Sequence, residues 1–198
     1  YHFTVFEDYR KTSEIYVAYS LIHKYAESPF LMPSPNYEET IFNSARFLLN
    51  NMTYTTYKGI NKLYVYWSLG RIAARLGSYK TAKTAYEKLE ALKVPYEWQE
   101  EVDLAALTVR AKPYQDKEEL FTVCYRCMNS NSPLNSAGDQ CMACKHPFIR
   151  SFLSFTSLPL VEFEPAEGIS SAKAAQLLRS ETGAKTTKRR QESGWEDT

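Results

Sequence analysis

The four cysteines constrain the fold of this chain more than any other feature. They form two C-x2-C pairs, Cys124-Tyr125-Arg126-Cys127 and Cys141-Met142-Ala143-Cys144, with 13 residues between them. Two such pairs at this distance point to one tetrahedral zinc ion held by four thiolates. Two residues between ligands let a tight turn aim both sulfurs at one point, and the spacer is long enough for a hairpin to bring the pairs together. Four thiolates fill the coordination sphere, so a site of this kind builds structure and leaves no position for water or substrate. Free or redox-active thiols are the alternative. A thioredoxin-type centre, however, needs a single C-x2-C beside a βαβ pattern, and the chain does not alternate that way. His146 lies two residues beyond Cys144; with four sulfurs already supplied, it is expected at the surface.

What surrounds this motif is expected to be mainly helical. A stripe of Ile15, Ala18, Tyr19, Ile22, Tyr25 and Ala26 predicts a helix from about Lys11 to Glu27, which Ser28-Pro29 ends. Ile41, Phe42, Ala45, Leu48 and Leu49 predict a second from Tyr37 to Asn50, with Glu38 and Glu39 suited to its first turn. A polar loop with Gly59 follows. Two helices then join at Gly77-Ser78-Tyr79, from Lys62 to Leu76 and on to about Leu92, with Pro95 just beyond. This pair is similar to one tetratricopeptide-type hairpin: Gly70 and Ala82 allow close approach, while Tyr79 and Tyr86 fill the groove between hairpins. Phe42, Ala45 and Leu49 repeat the spacing of Tyr79, Ala82 and Tyr86, which favours a stack of hairpins. An ordinary helical bundle would carry the same stripes. A last helix, Tyr96 to Ala111, presents Val102, Ala105, Ala106 and Val109 before Lys112-Pro113.

The expected fold class is therefore a tetratricopeptide-like helical repeat array, then a small four-cysteine zinc-ribbon-like β module, then a short C-terminal helix. The divisions are 1–112 for the helical hairpins, 113–150 for the zinc module, 151–180 for an extended segment and short helix, and 181–198 for a disordered tail. Phe121, Val123, Phe148 and Ile149 are expected to cover the metal, which would cap the last helix pair. Many zinc knuckles carry Gly after the second cysteine. Met128 and Lys145 stand there in this chain, so irregular turns are expected. After the module, Leu158 to Phe163 reads as an extended segment, and Ser170 is a candidate N-cap for a helix over 171–180. From Glu181 onward polar and charged residues dominate.

Composition excludes some functions. Net charge is +1, and from Pro113 to Arg150 four basic residues balance four acidic ones, so the module lacks the basic face that phosphate contacts require. The cluster Lys185, Lys188, Arg189 and Arg190 is followed at once by acids and reads as a solvated tail. Gly183-Ala184-Lys185-Thr186 lacks the strand and spacing of a phosphate loop. No apolar run reaches the length of a membrane span. His2, His23 and His146 form no catalytic spacing with Ser or Asp, and the chain is read as non-enzymatic. Fifteen tyrosines suit half-buried contacts between helices and at interfaces. With every cysteine in zinc-like pairs, a reducing compartment is expected. The opening Tyr1-His2-Phe3-Thr4-Val5-Phe6 reads like the interior of an amphipathic element, so a longer polypeptide is expected. Because helix pairs bury their apolar faces only against neighbours, further repeats are expected before Tyr1.

Several short stretches carry a family resemblance. Leu107-Thr108-Val109-Arg110-Ala111-Lys112-Pro113, Glu118-Glu119-Leu120 and Cys124-Tyr125-Arg126-Cys127 resemble the C-terminal end of the intraflagellar transport protein 122 family. So do Pro147-Phe148-Ile149, Leu160-Val161-Glu162-Phe163 and Glu167-Gly168-Ile169. These are the WD-repeat subunits of intraflagellar transport complex A, and a paralogous subunit shares their layout. The resemblance covers most of Tyr1 to about Ser180. It implies N-terminal β-propellers and more repeats ahead of this segment, and partners among other complex subunits of propeller and tetratricopeptide architecture. It further implies retrograde transport, entry of membrane-protein cargo with possible cargo adaptors, and a place in the cytoplasmic space of the cilium and basal body. Structural Zn2+ at Cys124, Cys127, Cys141 and Cys144 carries over residue by residue. A vesicle-coat or tethering subunit of the same layout is the rival reading, and a zinc-ribbon nucleic-acid binder stands further behind.

Overall fold

The computed structural model describes residues 2–29, 36–53, 55–158, 168–170, 173 and 176–177. Helix α1 spans His2–Glu27, α2 Tyr37–Asn51, α3 Lys62–Leu76, α4 Tyr79–Glu90 and α5 Tyr96–Arg110. A 3-10 turn at Glu118–Leu120 then leads to two short strands, β1 (Thr122–Val123) and β2 (Ser130–Asn131). The strands pair antiparallel, with Thr122 opposite Asn131 and Val123 opposite Ser130. The chain divides into two compact units, Tyr1–Leu160 and Val161–Thr198.

The helices form where the apolar stripes and punctuation residues place them. In α1, Ile15, Ala18, Ile22 and Tyr25 are completely buried. The helix starts earlier than its stripe does, because Val5, Phe6 and Tyr9 in its first turns are exposed and give no periodic signal. Asn61 caps α3 by accepting from the Leu63 amide at 3.0 Å. Gly77 ends it in the left-handed conformation (φ 80°), while the Ser78 amide donates to the Ala73 carbonyl at 2.8 Å; the missing Cβ makes that turn cheap. Each helix packs on the next, and α1 and α5 also both touch α3. Rings run through this second contact: Tyr25 to Trp67 at 6.0 Å, Trp67 to Trp98 at 5.2 Å and Trp98 to Tyr64 at 5.6 Å between centroids. Tyr19, Tyr37, Tyr57, Tyr64 and Tyr66 are half-buried against the helical core, whereas Tyr9, Tyr16, Tyr96 and Tyr114 are exposed.

The small residue expected between α3 and α4 does what its position requires. A Cβ on Gly70 would lie 3.0–3.2 Å from the ring carbons of Tyr86, so the bare backbone makes room for that ring. Tyr86 is almost fully buried there, and burial pushes its phenol up to about 12.

The residues that lead into the cysteine turns meet the last helix pair, but the turns themselves do not cap it, contrary to expectation. After α5 the chain turns back across the N-terminus of α4. Gln115 offers its carbonyl to the amides of Tyr79 and Lys80 at 3.1 and 3.2 Å. Asp116 accepts from the Ser78 hydroxyl at 2.7 Å and from the Thr81 amide and hydroxyl at 2.9 Å. A carboxylate at a helix N-terminus satisfies orphan amides and complements the dipole; here the cap comes from a residue far along the chain. The module is thereby returned to α2. Asn50 is buried and donates to the Pro133 carbonyl at 3.4 Å while accepting from the Asn135 amide at 2.9 Å. Arg46 donates to the Leu120 carbonyl at 2.9 Å, and Phe155 stacks on Phe47 with centroids 5.2 Å apart.

In the second unit, Lys173, Gln176 and Leu177 are helical. The remainder of the helix expected over 171–180, the extended segment from residue 159 to 163 and the tail over 181–198 lie outside the described residues. No helix among the described residues is long and apolar enough to cross a membrane.

Candidate metal centre

Each cysteine pair sits on a tight turn with the same hydrogen bonds. The Met128 amide donates to the Cys124 carbonyl at 2.8 Å, and the Cys124 amide to the Asn129 carbonyl at 2.9 Å. In the second turn the Lys145 amide donates to the Cys141 carbonyl at 3.0 Å, and the Cys141 amide to the His146 carbonyl at 2.8 Å. Met128 and Lys145 occupy the position that is glycine in many zinc knuckles, and both take the left-handed conformation, at φ 59° and 58°. The turns are therefore regular despite their side chains. An L-residue pays roughly 1–2 kcal/mol for that conformation, an amount the surrounding hydrogen bonds can offset.

These turns bring all four sulfurs within 4.8 Å of one another. Cys124 Sγ lies 3.6 Å from Cys144 Sγ, and Cys127 Sγ lies 3.5 Å from Cys141 Sγ. These distances are far beyond the ~2.05 Å of a disulfide, and all four cysteines are free thiols. A tetrahedron with metal–sulfur bonds of about 2.3 Å has edges of about 3.8 Å. The closest sulfur pairs therefore already stand near the spacing that a four-thiolate zinc site demands, and the donor set is the soft, closed one that zinc takes in structural sites.

Cys124 and Cys141 are fully buried, and Phe148 packs against them. Of the four residues expected to cover the site, Phe148 alone packs against the cysteines in this way. Ile149 is exposed, and so is Val123, because alternation along β1 turns Thr122 inward and Val123 out. At Cys141, burial opposes the thiolate, yet amides of Cys144 and Ala143, the Asn131 side chain and Cys127 outweigh it and bring the thiol down to about 6. At Cys127, burial comes first and the neighbouring thiols add to it, pushing it up to about 12. The two neighbouring thiols are thus pushed in opposite directions, and a dication among four such sulfurs would supply the charge that favours thiolates.

Asn131 joins the two turns. Its amide nitrogen donates to the carbonyls of Thr122 and Asn129 at 3.2 and 3.0 Å and reaches Cys141 Sγ at 3.6 Å, while its oxygen accepts from the Met142 amide at 2.8 Å. Asn135 accepts from the Ala137 amide at 2.8 Å and donates to the Gln140 carbonyl. His146 is not a bare surface histidine. It is half-buried, with its ring edge-on to Tyr125 at 4.9 Å and its Nε2 hydrogen-bonded to the Tyr125 hydroxyl. That contact ties the first turn to the second. Neither asparagine carries a sequence signal beyond its place in a turn-rich spacer, so their roles emerge only in three dimensions.

Residues 117–161 match the family described as "IFT122, zinc ribbon domain". The intraflagellar transport protein 122 homolog of Danio rerio is 42% identical over 173 residues, covering 87% of this chain and 14% of the relative. The homolog of Mus musculus is 39% identical over 193 residues, covering 98% of this chain and 16% of the relative. That of Homo sapiens is 40% identical over 173 residues, with 87% and 14% covered. The chain therefore spans only 14–16% of the length of these curated relatives.

Proposed function

The chain belongs to the intraflagellar transport protein 122 family, and from that premise we propose that it is a non-enzymatic assembly segment of intraflagellar transport complex A. It acts in the cytoplasmic space of the cilium and basal body. There it supports retrograde transport and ciliary entry of membrane-protein cargo through contacts with other complex subunits. Its helical part (1–112) is of tetratricopeptide type and supplies the docking faces. Its module (113–150) holds one structural zinc ion through Cys124, Cys127, Cys141 and Cys144.

The observation that carries this reading is the gathering of four thiols within 4.8 Å in a chain about 40% identical to these homologs over most of its length. When bound, zinc supplies a cross-link between two turns that have little apolar surface of their own. The protein's residues do the rest. Asn131 joins the two cysteine turns and reaches the Cys141 sulfur, and Asn50 holds the Pro133–Asn135 spacer on α2.

The test joins metal analysis of the purified chain with mass spectrometry of what co-purifies from ciliated cells. About one zinc ion per chain is expected, together with subunits of the transport complex, and Cys124→Ser/Cys141→Ser should lose both. Full assembly by that variant would refute the structural role of the metal.

A further inference from the structure

The hairpin after the second cysteine pair repeats the geometry of both cysteine turns. In residues 150–157 the Phe155 amide donates to the Ser151 carbonyl at 2.9 Å, and the Ser151 amide to the Thr156 carbonyl at 2.9 Å. These are the bonds made by Met128 and Cys124, and again by Lys145 and Cys141, at the same offsets. The flanking backbone pairs agree: Val123 with Ser130, Gln140 with Pro147, Arg150 with Ser157. One position further out, the Phe148 amide donates to the Asp139 carbonyl at 3.1 Å and the Leu158 amide to the Ile149 carbonyl at 2.7 Å. The fifth residue of each turn is left-handed; Phe155, at φ 52°, joins Met128 and Lys145. The ligand positions of this third turn are Ser151 and Ser154.

We propose that residues 150–157 form a third knuckle that needs no metal and clamps the zinc module to α2. The inward and outward faces are exchanged relative to the first two knuckles. There the first cysteine is buried and the left-handed residue is exposed; here Phe155 is buried and belongs to the helical core, against Phe47. Serine hydroxyls are not the soft donors that zinc selects, and these are used otherwise. Ser151 Oγ accepts from the Leu153 amide at 3.3 Å, and Ser154 Oγ bonds Thr156 Oγ1 at 2.8 Å. Arg150 fixes the hairpin from its base. It donates to Asp139, just ahead of the second cysteine turn, at 2.5–2.9 Å and to the Phe155 carbonyl at 2.9 Å. Every contact that closes this knuckle is therefore made by protein atoms. Zinc loss then opens the two cysteine knuckles and leaves their tether on the helices, so that the ion is taken up again by a module already in place.

This inference rests on the four cysteines binding zinc, and the test separates the two. Amide hydrogen exchange is followed on the full chain, zinc-loaded and after chelation. On chelation, protection at the amides of Cys124, Met128, Cys141 and Lys145 should fall on the order of tenfold or more, with little change at Ser151, Phe155 and Leu158. In Phe155→Ala the pattern should reverse, with loss at Ser151 and Asn135 while about one zinc ion per chain is kept. A zinc-bearing chain that loses protection equally in all three hairpins on chelation overturns the clamp alone, as does loss of zinc from Phe155→Ala. A chain purified without zinc refutes the four-thiolate reading, and the clamp with it.

Discussion

Neutralising Asp139 should damage this fold more than any other single charge removal, and the structure sets the size of the effect. Arg150 and Asp139 are a buried pair, with side chains only 5% and 10% exposed. Both Arg150 Nε and Nη2 reach the carboxylate, at 2.9 and 2.5 Å. The guanidinium also lies over the Phe47 ring at 5.9 Å. A second cation adds to the demand. Arg46 is buried in α2, and its Nε has no hydrogen-bond partner among the described residues. Burial first, then the charge of Arg150, pushes it down to about 9, and Asp139 works the other way. Asp139 thus pairs directly with one buried guanidinium and acts at a distance on a second. Asp139→Asn keeps the shape, loses the charge and turns an amide donor toward donors. Breaking a buried pair in this way costs about 3–5 kcal/mol. At about 2–4 °C per kcal/mol for a unit of this size, the melting temperature should fall by about 6–20 °C. Thermal and urea unfolding of the zinc-loaded chain followed by circular dichroism reads this directly. The effect should persist in high salt, because buried pairs are screened little. A loss under about 1 kcal/mol, or one that salt abolishes, would mean that the pair behaves as a surface ion pair and that the reasoning fails.

Three further outcomes follow from individual contacts. Lys145→Gly relieves about 1–2 kcal/mol of left-handed strain against about 0.5–1 kcal/mol of chain entropy, so the urea midpoint should rise slightly; a clear fall would contradict the reading of that turn. Gly70→Ala sets about 1 kcal/mol of helix propensity against about 1–3 kcal/mol of overpacking on Tyr86, for a small net loss that Tyr86→Leu should remove in the double variant, and simple additivity would refute the contact. Asn131→Ala leaves buried partners unpaired at about 1–3 kcal/mol and weakens zinc retention about 10–100-fold in a chelator competition; unchanged retention would exclude Asn131 from support of the site.

The helices were legible because each carries a stripe at helical period between strong stops. Ile15, Ala18, Ile22 and Tyr25 mark α1, and Gly77 and Pro95 bound α4 and α5. The sulfurs were legible because ligand spacing is a property of sequence itself. The location of the module was not, since it depends on Asn50, Arg46 and Asp116 meeting partners 35 to 85 residues away. No periodicity encodes such pairings. Met128 and Lys145 hid regular turns because residues with a Cβ give no sign of a left-handed backbone. The third knuckle was hidden for a related reason: Ser151-x-x-Ser154 keeps the spacing of the cysteine pairs without the element that makes the spacing conspicuous.

Where the apolar side chains go explains why the module needs two different supports. Between Thr122 and Phe148, the metal-side cluster contains Phe148 and the cysteines themselves. With so little apolar surface between them, the two cysteine knuckles depend, in the reading proposed above, on the metal as a cross-link. The third hairpin sends Phe155 into a core already built by the helices, where the entropy of the wall was met by other residues. A metal-dependent part and a metal-independent part within one small module follow, in this reading, from packing Phe155, together with Leu134 of the spacer, into the helical core and leaving Phe148 with the cysteines.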